Sequence, residues 1–309
     1  MENIIGLIAG SSGDSLIDRL HFKGYKVALI AGKKGEPGSD KADYLLETDL
    51  SNSNKIINFF NRLNVKKVLI GTGHIKALEL VGNRDFNFIT NINLNRSMLA
   101  KDKLKFKKEI LAHNIYTPKF FSFDNIQSLI NKTEDVLYEL KFPLVVKPNK
   151  DIVLPVKVNN IENMYDSAKL CLQSNNKIIV EEYIEGNDCT VPIYYNLKDS
   201  PKSLGVVYYS KAKEYKLNGF SEAKSEKMSP EIEQRIQDMA LKVVKSLNIP
   251  GLSRVDIILD EKELKPYVLE LNSIIVTGYN GSSYNFFKNQ NIDISAIMID
   301  TSLEMMGEL

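Results

Sequence analysis

The 309-residue sequence is poor in cysteine, in arginine and in net charge, and each shortage excludes a class of protein. Two cysteines, Cys171 and Cys189, are too few for a disulfide framework or a cysteine-ligated metal cluster. A formal charge of +1 argues against a dedicated nucleic-acid binder, which would carry an excess of positive charge. No apolar run approaches the roughly 18–20 residues that a membrane-spanning helix needs. The sequence opens on a strand-like segment rather than a leader, so we expect a cytoplasmic protein with no nucleic-acid or membrane partner.

What is present is an ordinary globular composition, with 43% apolar and 26% charged residues. At roughly 150 residues per domain, the length favours about two domains. Only six of the 40 basic residues are arginines, so each arginine is a candidate for a specific role.

Short apolar runs alternate with helical patterns over the first 90 residues. Strands are predicted at Ile4–Ala9, Tyr25–Ala31 and Lys67–Ile70, and a helix is predicted at Asn54–Leu63. Buried strands that alternate with helices indicate βαβ units and a parallel sheet. The loops Gly10–Asp14 and Gly71–His74 fall at the carboxyl ends of strands, where ligands bind, but neither matches a dinucleotide fingerprint or a Walker A loop.

One predicted amphipathic helix, Ser97–His113, carries a lysine on its apolar stripe. Leu99, Phe106 and Ile110 define the stripe, and Lys103 falls on it at helical spacing. Two interpretations stay open. The lysine could extend its alkyl chain across the apolar core and expose its ammonium group to solvent, or its ammonium group could face inward and bind an anion.

Further along, apolar runs and helical periodicity predict a central and a C-terminal region. The predicted elements are strands Phe142–Val146 and Lys177–Tyr183 around helix Ile161–Leu172, then helix Pro230–Leu247, strands Ser253–Leu259 and Tyr267–Asn272, and helix Ile294–Met306. No internal repeat interrupts this order.

The last two predicted strands bring acidic side chains together. Because side chains alternate between the faces of a strand, Arg254 and Asp256 share one face, and Val268, Glu270 and Asn272 share one face of the next strand. A symmetric hairpin places Asp256 opposite Glu270, and Arg254 opposite Asn272. Register is not provable from sequence, because a slip of one residue moves every side chain to the other face.

Two carboxylates about 5 Å apart in an apolar hairpin need a shared proton or a cation. Arg254 could supply the charge in a structural ion pair. Alternatively, oxygen atoms of Asp256, Glu270 and Asn272 hold a divalent ion, and oxygen-only ligands favour magnesium, usually completed by substrate phosphates and water. The second interpretation predicts a partner with anionic phosphates.

Five motifs, taken in order, resemble those of ATP-grasp enzymes. They are Asp102-Lys103, Phe142–Pro148, Glu181–Gly186, Arg254-Val-Asp256 and Glu270-Leu-Asn272. Over nearly its whole length the chain is similar to the D-alanine–D-alanine ligase type of carboxylate–amine ligase. The resemblance implies an α/β fold, α+β in the ATP-grasp part. It places a Rossmann-like domain at 1–96, a central ATP-grasp lobe at 97–186 and a C-terminal lobe with the metal and substrate sites at 187–309.

The resemblance also implies roles for single residues. Lys103 and Lys147 match lysines that contact ATP phosphates, and Arg254 matches an arginine that steadies the acyl phosphate and the tetrahedral oxyanion. The positions that match ligands of Mg²⁺, or Mn²⁺, are Asp256, Glu270 and Asn272. The positions that match the nucleoside site are Glu181 near the adenine amino group, Glu182, Tyr183 and Ile184 around the ring, and Asp188 at the ribose hydroxyls.

On the substrate side, Asp14 lies where the ligases have a glutamate, a plausible partner for an ammonium group. His74 resembles a second substrate position, and Ser282 lies in a Gly- and Ser-containing segment suited to binding a carboxylate. Each has a plainer alternative: Asp14 could cap a helix, and His74 could be an exposed loop residue.

The reaction implied by the resemblance is stepwise. A carboxylate attacks the γ-phosphate of ATP to give an acyl phosphate and ADP, and an amine then displaces phosphate. Small-molecule substrates and a homodimer are expected. Two alternatives remain: an ATP-grasp carboxylase that uses bicarbonate, and a nucleotide-binding protein without turnover.

Two segments depart from the family pattern. Residues 149–156 contain no glycine, where the family has a glycine-rich loop that closes over the phosphates. After Asn272 the family's Pro-Gly-Met-Thr-like segment is absent, which leaves the acceptor substrate open. The candidates for a substrate-covering tyrosine and a phosphate lysine are Lys213, Tyr215 and Lys216.

Overall fold

The computed structural model of the chain describes residues 3–150, 154–173, 177–196, 198–209, 223–224 and 228–308. Within these residues the strands form three sheets, each with helices packed against it. None of the helices in these ranges combines the length and the apolar character needed to cross a bilayer.

The first sheet has five parallel strands in the order β3-β2-β1-β4-β5. Its strands and helices are β1 Ile4–Ile8, α1 Gly13–Phe22, β2 Lys26–Ala31, β3 Tyr44–Glu47, α2 Ser53–Arg62, β4 Lys67–Ile70, α3 Ile75–Val81 and β5 Ile89–Thr90. The predicted parallel sheet is confirmed. The edge strands β3 and β5 were not predicted; their side chains are exposed or half-buried, as is common at the edges of a sheet.

The predicted single helix Ser97–His113 is wrong, because two helices stand in its place: α4, Leu94–Lys101, and α5, Lys103–Ala112. Asp102 interrupts them with an extended backbone, and its side chain accepts a hydrogen bond from the N–H of Lys105 at 3.0 Å. Aspartate is a strong N-cap residue, so a new helix begins here.

The second sheet has four antiparallel strands in the order β6-β9-β7-β8. Its strands and helices are β6 Phe120–Phe123, α6 Ile126–Ile130, α7 Thr133–Glu139, β7 Leu144–Pro148, β8 Val156–Val158, α8 Ile161–Leu172 and β9 Ile178–Glu182. Buried side chains of α8, such as Met164 and Ala168, pack against Val146 and Val180 of the sheet. The predicted bounds of α8 are confirmed.

The third sheet is antiparallel, in the order β13-β12-β10-β14-β15, with β11 paired to β10. Its strands and the remaining helices are β10 Gly186–Tyr195, β11 Lys202–Ser203, β12 Val207–Tyr209, β13 Ala223–Lys224, α9 Pro230–Leu247, β14 Gly251–Asp260, β15 Pro266–Asn272, α10 Ser282–Lys288 and α11 Ile294–Met305. Ile236 and Val243 of α9 pack on one face of the sheet against Val255 and Ile257, which leaves the other face for polar side chains.

The C-terminal helix α11 connects the first and third sheets. It packs against α1 and β14, and its buried Ile299 and Leu303 belong to the same apolar core as Leu16 of α1. Arg19 of α1 forms an ion pair with Asp293, the residue that caps α11. The two sheets therefore share a core.

The β14–β15 ladder has the predicted register at its functional end: Asp256 pairs with Glu270 and Arg254 with Asn272. Nearer the turn the register shifts by one residue. Val268 is therefore not on the face of Glu270, as predicted, but is fully buried in the core beneath α9. The prediction failed because the alternation of faces does not continue through a β-bulge.

Candidate active site

The sheet face opposite α9 carries a cluster of interacting polar side chains. Thr190 Oγ1 donates to Asp256 Oδ1 at 2.6 Å. Asn272 Nδ2 donates to Asp256 Oδ2 at 3.2 Å and to Glu270 Oε1 at 3.0 Å. Arg254 Nη2 lies 3.4 Å from Asp256 Oδ2. The structure therefore brings together the four residues that the hairpin pattern singled out, and adds a threonine from β10.

The two neighbouring carboxylates differ in their surroundings. Burial raises the pKa of Asp256; Arg254 opposes this effect, and the adjacent Glu270 adds to it. Burial also acts to raise the pKa of Glu270, but the charge of Lys103, hydrogen bonds with Asn272 and Asp256 and the charge of Lys147 together hold that pKa below its usual range. Like charges that share one site divide their pKa values in this way.

The donor set fits a divalent cation. Two adjacent carboxylates and one amide supply only oxygen ligands, the kind that Mg²⁺ and Mn²⁺ accept. The amide of Asn272 turns its nitrogen toward both carboxylates, so it would rotate to offer its oxygen to an ion. A cation between Asp256 and Glu270 would also relieve the repulsion that perturbs their pKa values.

Two buried lysines act on the carboxylate pair, one at the start of α5 and one on β7 of the second sheet. Lys103, the first residue of α5, is 6% exposed, and Lys147 of β7 is 5% exposed. Asn149 fixes the start of α5 beside β7, because its carbonyl oxygen accepts from the N–H of Lys103 at 3.2 Å and its Oδ1 accepts from the N–H of Leu104 at 2.7 Å. Burial and the electrostatic effect on Glu270 favour the inward-facing interpretation of Lys103.

Behind Lys147 lies a buried chain of charges that the sequence did not reveal. Glu181, 2% exposed, lies 2.8 Å from Lys147 Nζ through Oε2 and 2.8 Å from Lys107 Nζ through Oε1. Lys107 is completely buried and donates to Thr117 Oγ1 at 2.5 Å. Burial, with a smaller contribution from Lys147, lowers the pKa of Lys107 to about 8, although Glu181 opposes it. Conversely, the two lysines overcome burial and lower the pKa of Glu181.

The segment predicted to surround adenine follows β9. The N–H of Glu182 donates to the carbonyl of Lys119 at 3.0 Å, and its Oε1 accepts from the N–H of Lys119 at 2.7 Å. Lys157 of β8 places its ammonium 3.7 Å from the centre of the Tyr183 ring, a cation–π contact. Lys157 lies shortly after the glycine-free loop, so this contact joins that part of the second sheet to the predicted adenine segment.

Ile184 and Asp188 extend from this segment into the third sheet. In the part of the chain that the structure describes, no hydrogen bond occupies the N–H of Ile184, which is therefore available to an acceptor. Asp188 is exposed on β10, two residues before Thr190 and on the same sheet face as the carboxylates. Both positions are open to a ligand that also reaches the carboxylate cluster.

The predicted substrate residues lie at helix starts. Asp14 Oδ1 accepts from the N–H of Ser15 at 2.7 Å in the first turn of α1. His74 is exposed and caps α3, where its Nδ1 accepts from the N–H of Lys76 at 3.3 Å. Contacts among the described residues join neither side chain directly to the carboxylates. Ser282 begins α10, and its side chain lies outside the described part of the chain.

The loop that carries Asp14 is nevertheless docked on the segment after Asn272. The N–H of Thr277 donates to Ser12 Oγ at 3.0 Å, and the hydroxyls of Thr277 and Ser15 are 3.3 Å apart. A Cβ on Gly278 would lie 1.9 Å from the carbonyl oxygen of Ser11, so only glycine permits this approach. The first sheet is therefore packed against the segment that follows the carboxylate hairpin.

One of the two departures from the family pattern, and the candidates for a substrate-covering tyrosine and a phosphate lysine, lie wholly or partly outside what the structure describes. Residues 151–153 of the glycine-free loop are outside the described residues, as are Lys213, Tyr215 and Lys216.

Sequence reasoning missed three residues of this site, namely Lys101, Lys107 and Thr190. Lys107 follows Lys103 by one helical turn, so the same periodicity would have found it. Thr190 gives no sequence signal, because its contact with Asp256 depends on pairing between distant strands. Lys101 donates to Asn272 Oδ1 at 3.2 Å from the end of α4, a position that the wrongly predicted continuous helix concealed.

Comparisons with known proteins agree with this arrangement. Residues 111–286 match the model of the family described as D-ala D-ala ligase C-terminus. The D-alanine–D-alanine ligase of Carboxydothermus hydrogenoformans is 30% identical over 196 residues, which cover 60% of this chain and 62% of that protein. The chain thus spans under two thirds of the length of this relative. The ligase of Janthinobacterium sp. (strain Marseille) is 25% identical over 86% of this chain and 84% of its own.

The fold likeness covers the whole chain. The crystal structure of D-alanine–D-alanine ligase from Bacillus anthracis complexed with ATP superposes with a TM-score of 0.73 over 99% of both chains, at 21% identity. The family match takes in more than half of the sequence, including the second sheet and the carboxylate hairpin. The chain therefore belongs to the D-ala D-ala ligase C-terminus family and has the α/β ATP-grasp fold.

Proposed function

We propose that the chain is an ATP-dependent carboxylate–amine ligase that joins small amino-acid-like substrates and releases ADP and phosphate. The observation that carries the proposal is the juxtaposition of Asp256, Glu270 and Asn272 with the buried ammonium groups of Lys103 and Lys147. A purely structural cluster does not need so many charged groups around one sheet face. A metal–triphosphate complex does need them, because carboxylates bind the metal ion and ammonium groups bind the phosphates.

In this proposal the acidic side chains bind the metal ion, and the basic side chains bind the phosphates and the oxyanion. Asp256, Glu270 and Asn272 would hold Mg²⁺ or Mn²⁺, which supplies Lewis-acid neutralisation of the phosphate oxygens. Lys103 and Lys147 would contact the phosphates, and the adenine and ribose would lie along Glu181–Ile184 and Asp188. A substrate carboxylate oxygen forms a bond to the γ-phosphorus as the bond to ADP breaks. Arg254 would then stabilise the oxyanion that forms when the amine attacks, before phosphate leaves.

The proposal also includes predictions about domain boundaries, substrate-side residues, oligomeric state and cellular location. The proposed domain boundaries after residues 96 and 186 fall within α4 and at the first residue of β10, near the changes from the first sheet to the second and from the second to the third. Asp14, His74 and Ser282 would face the amino-acid substrates. A homodimer, a cytoplasmic location and the lack of nucleic-acid or membrane partners stay predictions.

The test is ADP release from magnesium-ATP with pooled L-amino acids, pooled D-amino acids and bicarbonate, each assayed separately. The proposal expects a signal with an amino-acid pool. ADP release only with bicarbonate would favour the carboxylase alternative. Tight nucleotide binding without turnover in any pool would favour a non-catalytic protein, for which the glycine-free loop is the supporting observation.

A further inference from the structure

The end of α4 carries a lysine that reaches the carboxylate cluster from the side of the first sheet. Lys101 is half-buried, and its Nζ donates to Asn272 Oδ1 at 3.2 Å. A Cβ built on Gly73 would lie 3.7 Å from Lys101 Nζ and 3.9 Å from the carbonyl oxygen of Ile274. The ammonium group therefore stands where α4, the end of β15 and the loop after β4 meet.

This position differs from that of the two phosphate-side lysines. Lys103 is bonded through its backbone to Asn149, and Lys147 is paired with Glu181, so both belong to the second-sheet side of the cluster. Lys101 borders the first sheet instead. A ligand that extends from the phosphates toward the first sheet would meet Lys101 after it has passed the metal ligands.

Metal binding changes what Lys101 can contact. The amide of Asn272 now offers nitrogen to the carboxylates and oxygen to Lys101. If Asn272 offered its oxygen to a bound cation, its N–H₂ group would turn toward Lys101, and a donor would then face a donor. In that state Lys101 would lose this one acceptor, and an anion of the substrate would offer its ammonium group a charge-assisted contact at the same place.

We propose that Lys101 binds the carboxylate of the substrate that accepts the γ-phosphoryl group. This inference rests on the proposed ligase function and names a substrate residue for it. A carboxylate held at this position lies next to the metal ligand Asn272 and against the first-sheet loop that ends at His74. Lys101 thus orients the attacking oxygen toward the metal and the phosphate, while Lys103 and Lys147 hold the nucleotide.

Calorimetric titration of the full chain tests the proposal with D-alanine and L-alanine as separate probes, in the presence of Mg²⁺ and a non-hydrolysable ATP analogue. Lys101→Met keeps most of the side-chain length and removes the charge. We expect it to weaken alanine binding by about 10- to 100-fold, the loss typical of a charge-assisted hydrogen bond. The affinity for the nucleotide analogue stays within about twofold, and Lys101→Arg recovers part of the alanine affinity.

Lys108→Met is the matched control, because Lys108 is an exposed lysine on α5. Equal alanine affinities in Lys101→Met and the wild type would overturn the inference and leave the ligase proposal intact. Loss of nucleotide affinity instead of alanine affinity would also overturn it, since Lys101 would then serve the phosphates. A wild-type chain that binds the nucleotide and neither alanine would overturn the inference for alanine, while the pooled amino-acid assay would still decide the ligase proposal.

Discussion

At the residue scale, Glu270 is the member of the carboxylate pair that the lysines keep charged. Burial opposes ionisation, but Lys103, the hydrogen bonds with Asn272 and Asp256, and Lys147 lower its pKa, so it is ionised at neutral pH. Glu270→Gln keeps the shape and removes the charge, so we expect ADP release to fall by at least about 100-fold and Mn²⁺ affinity to fall with it. Calorimetry with Mn²⁺ and an ADP assay measure both. Glu263→Gln in the exposed β14–β15 turn is the control, and wild-type Mn²⁺ affinity in Glu270→Gln would remove the metal assignment.

Lys107 is the second residue-scale case, because a fully buried cation is stable only with its partner. Lys107→Met leaves Glu181 with one lysine instead of two, and we expect it to lower the free energy of unfolding by about 3–5 kcal/mol. The double variant Lys107→Met/Glu181→Gln should lose less than the sum of the two single changes. Urea unfolding measures each value. Lys108→Met, exposed on the same helix, should stay within about 0.5 kcal/mol, and strict additivity would contradict the coupling.

The pKa of Lys107 also predicts how stability depends on pH. The folded pKa is about 8, below the value of 10.5 for the unfolded chain. Below about pH 8 both states hold the proton, and burial of the charge costs its full amount. Between about pH 8 and 10.5 the unfolded chain holds more protons, so this residue's contribution to stability rises with pH. Urea unfolding should therefore show the wild type gaining on Lys107→Met across that window, and a constant difference would refute the shift.

How far single residues could be predicted depends on whether their partners are local. Lys103 was singled out because Phe106 and Ile110 follow it at helical spacing, but this pattern alone left two interpretations of its role open. Glu181 stays predicted to lie near adenine, and its side chain pairs with two lysines from other elements, a contact that the sequence did not indicate. Sequence periodicity identifies a buried charge but not the distant group that neutralises it.

At the element scale, α5 presents Lys103 because it begins where it does. Asp102→Ala removes the cap, and we expect a loss of about 1 kcal/mol in unfolding free energy and weaker nucleotide binding, since the first turn carries Lys103. Asp102→Asn keeps the cap and should preserve both. Urea unfolding and calorimetry with an ATP analogue distinguish these variants. Equal behaviour of the Ala and Asn variants would show that the cap has no part in placing Lys103.

Elements were predictable where the pattern is continuous and failed where it is locally interrupted. The spans of α8 and α9 agree with their periodicity to the residue. The continuous helix over 97–113 and the face of Val268 were wrong for a shared reason. One residue changes the local geometry in each case, Asp102 by capping and the bulge beside Val268 by adding a residue to one strand.

At the scale of the whole molecule, the sequence predicts the sheets better than their contacts. The central strands can be recognised from their apolar runs. The contact between the first and third sheets instead depends on Ser12, Ser15 and Thr277, which lie in or next to loops without a regular sequence pattern. Such contacts are specified by backbone positions, so composition and periodicity carry little information about them.

Gly278 tests whether this contact keeps the first sheet aligned with the carboxylate cluster. In Gly278→Ala the new Cβ would lie 1.9 Å from the carbonyl oxygen of Ser11, so the two loops must separate. We expect about 1–3 kcal/mol lower stability. Turnover should fall by about 100-fold, the cost of a misplacement near 1 Å. Affinity for an ATP analogue should stay within about twofold, because the proposed nucleotide residues lie outside the first sheet.

Gly32→Ala is the control, since its Cβ would lie at an ordinary 3.7 Å from the nearest atom, Glu36 Oε2. Wild-type turnover and unfolding temperature in Gly278→Ala would mean that the loops separate in solution and that the first sheet does not need this contact to serve the site.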